Sequence, residues 1–135
     1  MKNTKNILFV CLENAGRSQM AEAFFRKYTN EKFNVISAGT TPSSQLNPIV
    51  IEVMSEIGID MRQQSPKKLS NKMIENSSKT INMGCMSKES CPSLFVNDVF
   101  DWNISDPKEK SIDDVREIRD QILKNVLELI DSLEK

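Results

Sequence analysis

The chain has 135 residues, 39% of them hydrophobic and 27% charged, enough for one buried core, so a single domain over 1–135 is expected. Lys+Arg 18 against Asp+Glu 19 excludes the broad basic field that draws proteins to nucleic acid or anionic membranes, and any anion site must be local. No histidine accompanies the three cysteines, which excludes Ser-His and Cys-His nucleophile pairs, histidine proton shuttles and histidine zinc sites, and leaves a four-cysteine zinc site one sulfur short.

The apolar run Ile7 to Leu12, ending at Glu13, is too short for a signal peptide or a membrane span, so a soluble cytoplasmic protein is expected. Ile7 to Val10 is continuously apolar, as in a strand buried on both faces, and it leads into Cys11. From Ser18 to about Lys27, Met20, Ala21, Ala23, Phe24 and Phe25 form a helical stripe. Phe33 to Ser37 reads as a second strand, followed by a loop through Ser44.

Asn47-Pro48 opens a helix with Asn as N-cap and Pro at the first position, and Gly58 stops it. A shorter helix follows Ser70. Thr80 to Met83 is a third strand running into Gly84-Cys85, and Val96 to Phe100 a fourth, before a loop from Trp102 to Pro107. Ser111 caps a long last helix whose Val115, Ile118, Ile122, Val126, Leu129 and Leu133 keep a three-to-four spacing. No repeat or low-complexity segment interrupts this alternation. It predicts βαβ units and a parallel sheet covered on both faces, with the carboxyl ends of the strands forming the binding edge. Cys11, Cys85 and Asp106 each follow a predicted strand, so they are expected to meet there.

Between the first strand and first helix lies Cys11-Leu12-Glu13-Asn14-Ala15-Gly16-Arg17-Ser18. The main-chain N–H groups of such a loop, from Leu12 to Arg17, form a nest for a tetrahedral oxyanion at a helix N-terminus. Asn14 and Gly16 tolerate left-handed backbone angles, and Arg17 supplies a planar fork of donors. That positive field favours a thiolate at Cys11, which Ser18 can support by a hydroxyl hydrogen bond. A nucleophile is thus activated without a base. A cysteine at the end of a buried strand is more commonly a small core hydrophobe, but the strand before, the helix after and the residues between favour the anion loop.

This segment resembles the phosphate-binding loop of the low-molecular-weight protein tyrosine phosphatases and of the thioredoxin-coupled arsenate reductases built on the same fold. Arg17-Ser18-Gln19-Met20-Ala21-Glu22 is particularly like the reductases. The likeness continues through Ser37-Ala38-Gly39, Met83-Gly84-Cys85, Cys91-Pro92 and Asp106-Pro107, over nearly the whole chain. Glu13 stands where many relatives carry Gly, and Gly16 where some reductases have a further cysteine. The resemblance implies an α/β three-layer sandwich with a central four-stranded parallel sheet.

It also implies chemistry. Cys11 attacks arsenate, Asp106 protonates the leaving oxygen, Cys85 attacks Cys11 to release arsenite, and Cys91 moves the Cys11–Cys85 disulfide outward to Cys85–Cys91 for reduction by thioredoxin. Cys85 cannot bond both partners in one rigid geometry, so Met86 to Ser90 is expected to be mobile. Incidental cysteines or half a metal site are the plainer reading of Cys85 and Cys91, though their gap exceeds the usual zinc-knuckle spacing. Asp106-Pro107 is ordinarily a turn; the lack of histidine favours a carboxylate acid.

Arsenate is the expected ligand, with phosphate or sulfate as analogues. A phosphatase of the same fold and a non-enzymatic arsenite or redox sensor remain alternatives. No cofactor is expected, and the protein is expected to be a monomer. Some of these reductases bind potassium through Asn, Glu, Ser and Asp side chains. Asn14, Glu22 and Ser37 match three of these, but the fourth position falls near Lys67, whose ammonium could replace the ion, so no metal site is expected. Glu22 reads equally well as a solvated helix residue.

Overall fold

The computed structural model describes residues 3–29, 33–83 and 99–134. Four strands, β1 (Asn3–Cys11), β2 (Asn34–Gly39), β3 (Ser77–Asn82) and β4 (Val99–Asp101), form a parallel sheet in the order β2-β1-β3-β4. The helices are α1 (Arg17–Tyr28), α2 (Pro48–Ser55), α3 (Asn71–Asn76) and α4 (Ile112–Glu134).

The central strand β1 explains the layers. Its side chains alternate between faces: Ile7, Phe9 and Cys11 enter a large apolar cluster with α1, α2 and α4, while Leu8 and Val10 pack with Ala38 and Ile74 toward α3. A strand with both faces covered must be apolar at every position, which is why Ile7 to Val10 shows no polar alternation. Phe9, Phe24 and Phe25 are fully buried, each contributing on the order of 1.5–3 kcal/mol from burial. In α4, Val115, Ile118, Ile122, Val126 and Ile130 are buried, whereas Leu129 and Leu133 are half-buried at the stripe's edge.

The expected caps at Asn47 and Ser111 are present, and Ser70 caps α3 as well. Asn47 Oδ1 accepts from Ile49 N (2.9 Å), Ser70 Oγ from Met73 N (3.2 Å) and Ser111 Oγ from Asp114 N (3.2 Å). After α2 the chain turns at Gly58, whose φ is 84°. β1 begins earlier than its apolar run: Asn3 pairs with Ser77 across a register shift. β3 likewise starts at Ser77, directly after α3. The fourth strand lies at Val99–Asp101, and 96–98 fall outside the described residues.

From β1 the chain passes through α1 to β2 on one side, while β3 lies on the other. The carboxyl end of β1 is therefore a topological switch point, where a loop can project between diverging connections. Cys11 is the last residue of β1. Among the described residues, no helix is long and apolar enough to cross a membrane.

Candidate active site

The loop from Cys11 to Arg17 is shaped by where its carbonyls go. Leu12 O accepts from Thr41 N (2.9 Å), Glu13 O from Ser43 N (2.9 Å) and Ala15 O from Asn47 N (2.9 Å). In a trans peptide the carbonyl and the following N–H point in opposite directions, so these outward carbonyls turn the N–H groups of Glu13, Asn14 and Gly16 inward. Asn14 N accordingly donates to Cys11 Sγ at 3.2 Å. Gly39, paired with Cys11, lets the loop sit on the end of β2: a Cβ there would lie 2.6 Å from Leu12 O and 2.9 Å from Asn14 N.

Asn14 carries the loop's left-handed residue (φ 52°) and is fully buried. Its Oδ1 accepts from Gln19 Nε2 (2.9 Å) and Lys67 N (2.8 Å), and its Nδ2 donates to Ser18 Oγ (2.7 Å). Gln64 Nε2 in turn donates to Gln19 Oε1 at 2.6 Å. With the Ser18 oxygen accepting from Asn14, its hydroxyl proton is directed at Cys11 Sγ, 2.8 Å away. The sulfur thus receives a main-chain N–H and a hydroxyl in a buried setting. α1 starts from Gly16, which places no side-chain oxygen on its first-turn amides, and that turn carries no acidic residue. The positive end of the helix faces the loop.

Arg17 is 5% exposed, and its Nη1 donates to Met83 O (3.0 Å) and Ile104 O (3.1 Å), just beyond β3 and β4. Its Nη2 lies 3.6 Å from Asp106 Oδ2. The guanidinium is oriented by two carbonyls, with its remaining N–H groups available to an anion. Asp106 is half-exposed and accepts from Lys108 N at 3.0 Å through Oδ1. Cys11, Glu13, Ala15, Gly16, Arg17, Asp106 and Lys108 line one cavity of about 190 Å³.

Of the three residues expected to meet, Cys11 and Asp106 line one cavity, together with Arg17, and Ser18 lies against Cys11. Cys85 and Cys91, with the 86–90 segment between them, lie outside the described residues. Among the described residues no cluster of His, Cys, Asp or Glu could hold a metal ion. Glu22 is not solvated. It is 3% exposed, accepts from Ser37 Oγ (2.8 Å), and pairs with Arg26 at 2.8 Å, with Lys67 Nζ 3.8 Å away. It lies one turn after Ser18 in a stretch of α1, Arg17 to Phe25, that is buried on every side.

Two features escaped the sequence reading. Gln19 and Gln64 brace Asn14 from behind; the polar run Ser18, Gln19, Glu22 on an otherwise apolar helix face was the available signal. The second is an ion pair at the cavity mouth, Lys108 Nζ to Glu13 Oε2 at 3.0 Å, which joins residues 95 apart in the chain. The Glu13 carboxylate holds the Lys108 ammonium above its ordinary pKa.

A parallel α/β sheet with a buried cysteine, a loop of inward-facing main-chain N–H groups and a buried arginine at its switch point defines a parallel α/β protein with one cysteine-centred candidate site. The model of the family described as low molecular weight phosphotyrosine protein phosphatase matches residues 6–135, and the chain belongs to that family. An arsenate reductase of Bacillus cereus is 34% identical over 128 residues, 93% of this chain and 94% of that protein. A thioredoxin-dependent arsenate reductase of Corynebacterium glutamicum superposes with a TM-score of 0.81 at 34% identity, covering 97% of this chain. The chain spans 62% of that protein's length. An arginine phosphatase from Geobacillus stearothermophilus superposes with a TM-score of 0.84 at 26% identity, covering 96% of this chain and 92% of that one.

Proposed function

We propose that this protein reduces arsenate to arsenite by a cysteine relay regenerated by thioredoxin. The observation that carries the proposal is the small cavity in which Cys11 Sγ is hydrogen-bonded by Ser18 and Asn14 while Arg17 and Asp106 face the same space. The arsenate reductases among the relatives support the choice of substrate.

In the proposed reaction the loop amides and Arg17 hold arsenate with one As–O bond in line with Cys11. The thiolate forms an S–As bond as that oxygen leaves with a proton from Asp106. Cys85 then attacks Cys11 Sγ. The S–As electron pair passes to arsenic, which leaves as arsenite, and the two sulfurs are oxidised to a disulfide. Cys91 attacks Cys85, a Cys85–Cys91 disulfide forms, and the Cys11 thiolate is restored. A thioredoxin dithiol, poised at about −270 mV, supplies the two electrons that close the cycle.

A phosphatase is the second reading, because Cys11, Arg17 and Asp106 suffice for hydrolysis through phosphocysteine and the arginine phosphatase shares this fold. A sensor that holds arsenite without turnover is the third. Purified protein with thioredoxin, thioredoxin reductase and NADPH should oxidise NADPH on addition of arsenate, and Cys85→Ala should abolish this. Mass mapping should find a Cys85–Cys91 disulfide after arsenate treatment, removed by thioredoxin. Hydrolysis of phosphoarginine or an aryl phosphate, unaffected by Cys85→Ala and without NADPH oxidation, would establish the phosphatase instead.

A further inference from the structure

An acidic side chain beside an anion site is a liability: Glu13 lines the same cavity as Cys11 and Arg17, and a bare carboxylate there would repel a tetrahedral oxyanion. The ion pair with Lys108 neutralises it and at the same time ties the anion loop to the loop that bears Asp106. Two further contacts join these loops. Pro107 is buried against Gly16, where a Cβ would lie 2.8 Å from Pro107 Cγ. Asp106 Oδ2 reaches Arg17 Nη2 at 3.6 Å. Lys108 is coupled to Asp106 through its own N–H, bonded to Asp106 Oδ1 at 3.0 Å, so a pull on the lysine is a pull on the aspartate. Next along the chain, Glu109 has a φ of 61°, a left-handed backbone that a glutamate keeps only when its surroundings hold it.

We propose that the Glu13–Lys108 ion pair, with Pro107 seated on Gly16, is a specificity strap that holds the acid loop down on the anion loop and confines the site to inorganic tetrahedral oxyanions. It rests on the oxyanion reading above and narrows its substrate class. The cavity of about 190 Å³ agrees with it, being well below the roughly 300 Å³ at which pockets begin to enclose drug-sized ligands. An ester group or an aromatic ring attached to the anion would extend into this cavity, whose lining includes Glu13, Pro107 and Lys108. An exposed ion pair alone holds little. Here it acts on loops that Pro107 and Arg17 already bring together.

The test is calorimetric binding to the full chain of inorganic phosphate and of phenylphosphonate, an unreactive anion that carries a ring. Wild type should prefer phosphate. Glu13→Gln and Lys108→Gln should each lower the ratio of the phenylphosphonate Kd to the phosphate Kd by roughly two- to fivefold. The exchanged pair, Glu13→Lys with Lys108→Glu, should restore it. If the pair set only the local field, Glu13→Gln would tighten and Lys108→Gln would weaken both ligands equally, and that result overturns the strap. So does an unchanged ratio in all variants, or a wild type that binds both ligands alike. No arsenate turns over in these measurements, so a failure to reduce arsenate would refute the proposed function and leave the strap standing. Loss of the strap would leave arsenate reduction by wild type intact.

Discussion

Ser18→Ala removes one oxygen from the centre of the site. That oxygen lies 2.8 Å from Cys11 Sγ and accepts from Asn14 Nδ2 at 2.7 Å. Because Asn14 Oδ1 is committed to Gln19 and Lys67, the asparagine cannot turn round to donate elsewhere, and the serine proton is left pointing at sulfur. A hydrogen bond to a charged group contributes about 1.5–3 kcal/mol, so its loss lowers the thiolate population by roughly ten- to a hundredfold wherever thiolate is the minor form. The Asn14 N–H at 3.2 Å remains and limits the fall. Alkylation by iodoacetamide at mildly acidic pH measures this, in a Cys85→Ser, Cys91→Ser background where Cys11 is the one remaining cysteine. Asn14 Nδ2 also loses its buried acceptor, so the urea midpoint should drop by an amount equivalent to about 1–3 kcal/mol. An alkylation rate within twofold of the parent protein's would refute the assignment of Ser18 as donor to the sulfur.

Gly16→Ala should weaken phosphate binding and slow turnover by about tenfold or more. Its new Cβ would meet Pro107 Cγ at 2.8 Å and displace the loop that bears Asp106; equal Kd and turnover in the variant would refute it. Glu22→Ala should destabilise the protein by about 1–3 kcal/mol in urea unfolding, because Ser37 Oγ is left buried without its carboxylate. The Asp60 carboxyl is lowered to about 2, chiefly by the hydrogen bond from the Arg62 side chain. It should remain ionised until the pH approaches that value. Any stabilisation it provides is present above the ordinary carboxylate value near 4 and is lost as the pH falls toward 2. Arg62→Ala should move the titration, followed by carboxyl NMR shifts, up toward the ordinary value, while the main-chain N–H of residue 62, 3.0 Å from Asp60 Oδ1, keeps it somewhat lowered.

Local signals were legible where a single stretch of chain contains its own explanation. The N-caps expected at Asn47 and Ser111 need one oxygen and an N–H two or three residues on, and both are present. The loop from Cys11 to Ser18 was recognisable for the same reason, since its strand, its turn residues and its helix start are contiguous. Glu22 was ambiguous because helical spacing places it beside Ser18 without saying what covers that face. The cover comes from Ser37 on β2 and Lys67 far along the chain.

What the sequence determined by itself is the order of strands and helices, the loop that follows Cys11 and the absence of any imidazole base, because these depend on composition and on contacts within a few residues. Tertiary structure decided how the site is held. Met83 and Ile104 aim Arg17, Gln64 braces Gln19 behind Asn14, and Lys108 reaches Glu13. Each of these contacts joins residues between 45 and 95 positions apart. A sequence pattern reports periodicity along one element. Which side chain meets a loop from another element is set by how the sheet brings the carboxyl ends of its strands together.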